Sequence, residues 1–278
     1  MIPNVLSIAG TDPSGGAGIQ ADLKAFSALG AYGTTVITAL VAQNTQGVHS
    51  VHQPPVEFIT AQLDTLFADV RIDAAKVGML GTAEVVGAVA EGLRRHTPRY
   101  LVVDPVMVAT SGDRLLAADA VAALTQELIP LAQLITPNLP EAADLLGEKE
   151  ATDESTMLDQ LYRLGELCPG VLLKGGHLAG PQSVDLLLLD GEVTRLTAAR
   201  VQTSNTHGSG CTLSAAITAL RPQRSDWSSA VLEAKEYLTR AFLAAGALDV
   251  GSGHGPQHHF HAWWAAADQP TPAEGTPQ

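Results

Sequence analysis

The stretch Asn205-Thr206-His207-Gly208-Ser209-Gly210-Cys211 combines residue types that could do chemistry on an anion. Two glycines flank a small residue where a helix, Cys211 to Leu220, is expected to begin. Such a turn aims several backbone N–H groups in one direction and forms an anion cradle. A thiol at its mouth meets the helix dipole and bare amides, both of which favour the thiolate. An anion pocket beside a base is the minimum needed to move a phosphoryl group onto a hydroxyl. The same residues also read as an ordinary glycine turn with a small buried cysteine, since free Cys is among the most buried residue types. A hydrolase reading of Ser209 is poor, because Gly-x-Ser-x-Gly needs glycine where His207 stands.

Several other candidates end apolar runs. Asp104 follows Tyr100-Leu101-Val102-Val103, so its carboxylate sits at the C-terminal end of a buried strand, where open α/β sheets bind ligands. Asn138 and Glu141 follow the next strand at a helix start and can face the same crevice; an N-cap and a dipole-complementing carboxylate are the plain alternatives. Asp104 and Glu141 together offer hard oxygen ligands that could hold a hydrated Mg²⁺. Lys174, beside Gly175-Gly176-His177, can reach a phosphate or stand as a solvated loop lysine. Gln43 ends the run Val36 to Ala42, where it either binds a ring nitrogen and amine of a substrate or caps the strand.

A second glycine-rich segment, Gly10 to Gly18, follows the first strand. Its spacing is not Gly-x-Gly-x-x-Gly, so it points to close backbone approach by a ligand or a helix rather than to a dinucleotide site. The chain has no Gly-Lys dipeptide and hence no Walker A loop. Four of the nine histidines fall between His254 and His261, just before Trp263-Trp264; without cysteine or a clean i, i+4 pair, they read as a structural terminal segment, not a metal site.

Short apolar runs alternating with helical periodicity must position these groups. Strands are expected at 5–9, 34–41, 48–52, 75–79, 100–104, 133–136 and 171–173, with a hairpin near 184–196 around Asp190-Gly191. Helices are expected at 15–29, 56–68, 83–94, 117–128, 139–146, 155–167, 211–220 and 227–248. Repeated βα units imply an α/β fold: a mostly parallel central sheet with helices on both faces. Residues 1–264 read as one domain. From Ala265 the composition turns to Pro, Thr, Gln, Glu and Ala, the signature of a disordered tail.

The net charge of −13 argues against nucleic-acid and anionic-membrane partners, which need a basic face. No run approaches the ~18–20 apolar residues of a membrane span. Neither a secretory signal nor a disulfide framework is visible, and Cys168 and Cys211 as sole cysteines suit a reducing cytoplasm.

In order, the motifs Ala9 to Asp22, Val77-Gly78-Met79-Leu80, Asp104-Pro105-Val106-Met107, Thr136 to Ala142, Lys174 to His177, Asn205 to Cys211 and His258 to Trp264 resemble those of the hydroxymethylpyrimidine/phosphomethylpyrimidine kinases of thiamine biosynthesis, in the ribokinase-like superfamily. The resemblance spans residues 4 to 264. It implies a ribokinase-like fold, a homodimer and ATP-dependent phosphorylation of 4-amino-5-hydroxymethyl-2-methylpyrimidine, first to the monophosphate and then to the diphosphate. It places the pyrimidine against Gly10, Asp22, Gln43, Met79 and Val106, and ATP along Lys174 and Thr206. Hydrated Mg²⁺ would lie near Asp104 and Glu141. The amides of Gly208, Ser209, Gly210 and Cys211 would stabilise the transferring group, with Cys211 as base. Much of the superfamily has aspartate where Cys211 stands, and close relatives often have threonine in place of Ser209.

A thiol starts near pKa 8.5 and a base works best near the operating pH, so the cradle is expected to lower Cys211 toward neutrality. The rival readings are a pyridoxal/pyridoxine kinase of the same superfamily and a non-catalytic pyrimidine- or nucleotide-binding protein.

Overall fold

The computed structural model describes residues 1–107, 116–176 and 178–264. The expected tail and His177 lie outside the described residues.

The strands are β1 (Asn4–Gly10), β2 (Tyr32–Asn44), β3 (Gly47–His52), β4 (Ala74–Val77), β5 (Leu101–Val103), β6 (Leu134–Ile135), β7 (Gly170–Lys174), β8 (Gln182–Leu189) and β9 (Glu192–Ala199). They form one sheet in the order β3-β2-β1-β4-β5-β6-β7-β8-β9. From β2 to β7 all neighbours are parallel, while β3 on one side and β8 and β9 on the other run antiparallel. The β8–β9 turn has positive φ at both Asp190 (50°) and Gly191 (81°), as a type I′ hairpin requires.

The helices are α1 (Gly18–Ala28), α2 (Val56–Asp69), α3 (Ala83–His96), α4 (Ala118–Ala123), α5 (Leu139–Leu146), α6 (Glu154–Leu164), α7 (Ser209–Leu220) and α8 (Trp227–Leu243). Strand residues alternate between two cores because successive side chains leave opposite faces of the sheet. Leu6, Ile8, Val77 and Val103 pack with α2 to α6; Val5, Ala74, Val102 and Leu172 pack with α1, α7 and α8. Burial on both faces explains the near-continuous apolar runs of the central strands. Among the described residues no helix is long and apolar enough to cross a membrane.

Several expected boundaries move, three of them for a clear local reason. The first helix starts at Gly18, not Gly15, because Gly15 (φ 77°) holds left-handed backbone that an α-helix cannot run through, and Gly18 (φ 56°) is left-handed only as the first residue of the helix. The helix at 117–128 is α-helical only to Ala123; it widens into a π-turn over Leu124–Leu128 and gives way to a 3-10 turn at Pro130, which has no amide to continue the ladder. The last helix stops at Leu243 and is followed by a short 3-10 turn around Gly246.

Candidate active site

A cavity of about 640 Å³ opens at the C-terminal ends of the parallel strands. Twelve of the thirteen sequence-predicted residues line it: Gly10, Gln43, Met79, Val106, Asp104, Glu141, Lys174, Thr206, Gly208, Ser209, Gly210 and Cys211. They come from β1, β2, β7, α5, the start of α7 and the segments after β4 and β5, so the parallel sheet is what assembles them. The thirteenth, Asp22, is fully buried beneath the cavity and does not line it.

The turn before α7 has the geometry expected of an anion cradle. Gly208 is the N-cap at φ 75° and offers no side-chain cap. The Ser209 amide turns back to the Thr206 carbonyl (3.2 Å), while the Gly210 and Cys211 amides have no backbone partner among the described residues. A Cβ at Gly208 would lie 1.9 Å from the Gly16 carbonyl oxygen, so the two glycine-rich segments pack against each other. Gly208→Ala is therefore expected to cost at least ~1–2 kcal/mol for the left-handed backbone alone. It should also lower turnover at the site at least about tenfold by prising the loops apart. Thermal melts and turnover measured together test this; a wild-type rate would show that the close approach does not position the turn.

Opposite the cradle stand Asp104 and Lys174. Asp104 Oδ1 accepts from Thr136 Oγ1 (2.9 Å) and Lys174 Nζ (3.0 Å), and Oδ2 from Ser214 Oγ (3.1 Å). A Cβ on Gly210 would meet Lys174 Nζ at 3.2 Å, so glycine there makes room for the ammonium. Lys174 also lies 3.9 Å from Glu141 Oε2. Asn138 and Glu141 form a capping box on α5: the Asn138 amide donates to Glu141 Oε2 (2.8 Å) and the Glu141 amide to Asn138 Oδ1 (2.8 Å). Burial opposes ionisation of Asp104, but Lys174 and Lys76 outweigh it and hold the carboxyl below its ordinary range. Burial pushes Glu141 up to about 7, against the pull of Lys174.

The expected lowering of the Cys211 pKa is not found. Burial of the sulfur pushes the thiol up to about 11; Lys76 and the Gly18 amide pull downward, but Asp22 and Asp104 add to the rise. The bare amides point to where an anion would sit, and desolvation of the sulfur outweighs their field.

Sequence reasoning missed three buried pairs. Lys76 Nζ meets Asp22 Oδ1 at 2.7 Å with neither side chain exposed, and Ser7 Oγ donates to Asp22 Oδ2 (2.5 Å). Ser7 and Lys76 are cross-strand partners on the face covered by α1. His207 Nε2 lies 2.7 Å from Asp12 Oδ2. Lys235 Nζ meets Asp185 Oδ2 at 2.6 Å, and Asp185 Oδ1 accepts from the Gly175 amide next to Lys174 (3.1 Å). The available signal was a charged residue inside an apolar strand, Lys76 in β4 and Asp185 in β8, because such residues are rarely buried without a partner.

Parallel strands under two helical layers, closed by antiparallel edges and opening on a helix-start cradle, define a ribokinase-like phosphotransferase. Residues 12–258 match the phosphomethylpyrimidine kinase family, and the chain belongs to it. It is 57% identical to the hydroxymethylpyrimidine/phosphomethylpyrimidine kinase of Escherichia coli (strain K12) over 94% of this chain and 98% of that one. Its fold is similar to the crystal structure of phosphomethylpyrimidine kinase from Clostridium difficile 630 (TM-score 0.74, 41% identity, 86% of this chain and 99% of that one). It is also similar to the pyridoxal kinase from Staphylococcus aureus in complex with AMP-PCP and pyridoxal (TM-score 0.86, 33% identity, 95% of each chain).

Proposed function

We infer that this chain transfers the γ-phosphoryl group of ATP to 4-amino-5-hydroxymethyl-2-methylpyrimidine, and then a second phosphoryl group to the monophosphate. The observation that carries the reading is the amide cradle of Gly208 to Cys211 set beside Lys174 and Asp104, on a chain of this family. Gly10, Gln43, Met79 and Val106 form the pyrimidine wall of the cavity, and Asp22 lies buried outside it, paired with Lys76. Lys174 and Thr206 take the ATP phosphates, and Val201, Leu238 and Phe242 supply an apolar wall for the base.

Asp104 and Glu141 fit a hydrated Mg²⁺. No group of three or more His, Cys, Asp or Glu suited to a metal exists among the described residues, so no all-protein cage is formed. Mg²⁺ keeps several waters and is commonly held through one or two carboxylates plus substrate phosphates. When bound it neutralises charge on the phosphate oxygens; the orientation of the phosphates falls to the cradle amides and Lys174. In the first transfer the Cys211 thiolate takes the hydroxymethyl proton as the oxygen attacks the γ-phosphorus, the bond to the β,γ-bridging oxygen breaks and ADP leaves. In the second, the acceptor is an anionic phosphate and needs no base. The same reading makes the protein a homodimer of the cytoplasm, where Cys168 and Cys211 stay reduced.

The structural likeness to a pyridoxal kinase favours one second reading, phosphorylation of pyridoxal. Rates on the two acceptors, measured side by side, discriminate. The hydroxymethylpyrimidine is expected to be preferred at least about tenfold in kcat/KM, and a preference for pyridoxal would overturn the assignment.

Alkylation gives an independent check. Because the thiolate attacks, inactivation by iodoacetamide should accelerate about tenfold per pH unit between roughly pH 7 and 10, and ATP should protect. Cys168 is also a buried thiol, pushed up to about 11 by burial, so the labelled peptide must be located by mass. Full activity after complete labelling of Cys211 would remove it from the mechanism.

A further inference from the structure

Asp12 and His207 stand 195 residues apart in the chain and meet at the junction of the two glycine-rich segments. Asp12 gathers the first of these around itself. Its Oδ1 accepts from the Ser14 amide (2.8 Å) and hydroxyl (2.7 Å), and its Oδ2 from the amides of Gly16 (3.0 Å) and Ala17 (2.7 Å). These amides belong to the loop that leads into α1, so the carboxylate fixes the entry to that helix. Burial alone would raise the Asp12 carboxyl; hydrogen bonds from His207 and Ser14 outweigh it and hold the group ionised. An ionised carboxylate only accepts, so the proton of the 2.7 Å bond sits on His207 Nε2.

His207 immediately precedes Gly208, where the cradle begins. Its backbone is held from the other side: the His207 amide donates to the Gly255 carbonyl (3.1 Å), and its carbonyl accepts from Gln257 Nε2 (2.8 Å). A Cβ at Gly16 would lie 2.4 Å from the imidazole Cδ2, so the ring is seated directly on the first loop. Asp12 directly follows Gly10 and Thr11, which line the cavity, Gly10 on the pyrimidine wall. One buried carboxylate therefore ties the wall that faces the acceptor to the turn that faces the transferring phosphoryl group.

We propose that Asp12 and His207 are a positioning pair that fixes the Gly208–Cys211 cradle relative to the pyrimidine wall. The proposal rests on the phosphoryl-transfer reading above. The pair holds the attacking oxygen and the phosphorus in register without touching either, and both transfers depend on it because both use the same cradle. This separates the pair from the Cys211 thiol, whose role is confined to the first transfer.

The test is steady-state kinetics of both transfers for wild type, His207→Leu, His207→Gln, Asp12→Asn and the double variant Asp12→Asn/His207→Leu, with melting temperatures recorded. His207→Leu and Asp12→Asn are expected to lose about 10²-fold in kcat on both transfers, the scale of an ångström-sized misplacement, with KM for the pyrimidine within about threefold of wild type. His207→Gln, which returns an N–H donor near the Nε2 position, should recover to within about tenfold. The double variant should fall no further than the worse single one, because the two residues act through one bond. If His207→Leu does not fold, Asp12→Asn and His207→Gln carry the same expectations.

A kcat within about threefold of wild type, a glutamine variant as impaired as leucine, multiplicative losses in the double variant, or a KM rise at constant kcat would each overturn the pair. Wild-type turnover in the same assay keeps the two questions apart. A wild type that phosphorylates no pyrimidine refutes the functional reading, whereas an active wild type with unimpaired variants refutes only the positioning pair.

Discussion

Cys211→Ala is expected to slow the first phosphoryl transfer by about 10²–10⁴-fold, the range for loss of a general base, and to leave the second within about tenfold of wild type. The asymmetry follows from the acceptors: a hydroxymethyl group must lose a proton, and a phosphate monoester is already anionic. The buried thiol sharpens the prediction. With the group pushed up to about 11, roughly one molecule in ten thousand carries the thiolate at pH 7. The few thiolates present are strong bases, and their number rises about tenfold per pH unit. The first transfer should therefore climb with a slope near one in log rate between about pH 7 and 10, while the second stays nearly flat. Lys76 is the nearby cation that keeps the thiolate accessible, since its charge pulls the Cys211 pKa down. Equal loss of both transfers in Cys211→Ala would count against the base and assign the residue to positioning.

The largest stability effect is expected at Lys76. Burial alone would lower its pKa, but Asp22, Cys211 and Asp104 raise it well above the ordinary lysine range, so it stays charged in the folded protein. Among the described residues, Lys76→Met leaves the Asp22 carboxylate with only the Ser7 hydroxyl as partner in a fully buried site. Removing one member of a buried ion pair costs about 3–5 kcal/mol, because the remaining charge is uncompensated. Asp22→Leu/Lys76→Met, which removes both charges, should regain most of that loss while staying impaired in the first transfer, since the Cys211 thiolate loses its cation. Denaturant midpoints of wild type and the two variants decide this. A double variant no more stable than Lys76→Met would show that packing, not charge, dominates the site.

Much of the site was legible because its groups follow strands. Asp104, Glu141 and Lys174 each come just after an apolar run, and in a parallel sheet such positions converge on one edge whatever the strand order. The turn was legible because Gly208-Ser209-Gly210 precedes an apolar helical stretch, a pattern that serves an anion cradle and an ordinary glycine turn alike, and the groups after the strands favour the first. The hairpin at Asp190-Gly191 was legible from its turn chemistry. What stayed hidden depends on distant register. The Lys76–Asp22 pair exists because β4 pairs with β1 so that Lys76 faces Ser7, and because α1 crosses that face; no local pattern encodes either fact. Asp12 and His207 are likewise joined only by the packing of two loops. The Cys211 pKa was misjudged because the amides and the helix dipole are local and readable, whereas the desolvation of the sulfur is a property of the whole fold.

The most direct test of the central claim is a phosphorus NMR assay of the purified protein with ATP, Mg²⁺ and 4-amino-5-hydroxymethyl-2-methylpyrimidine, following monophosphate and diphosphate separately. A monophosphate signal that appears first and is then converted to a diphosphate, with matching formation of ADP, is the predicted result. ATP left unconsumed while the pyrimidine binds would contradict the account and leave a binding protein on a kinase scaffold.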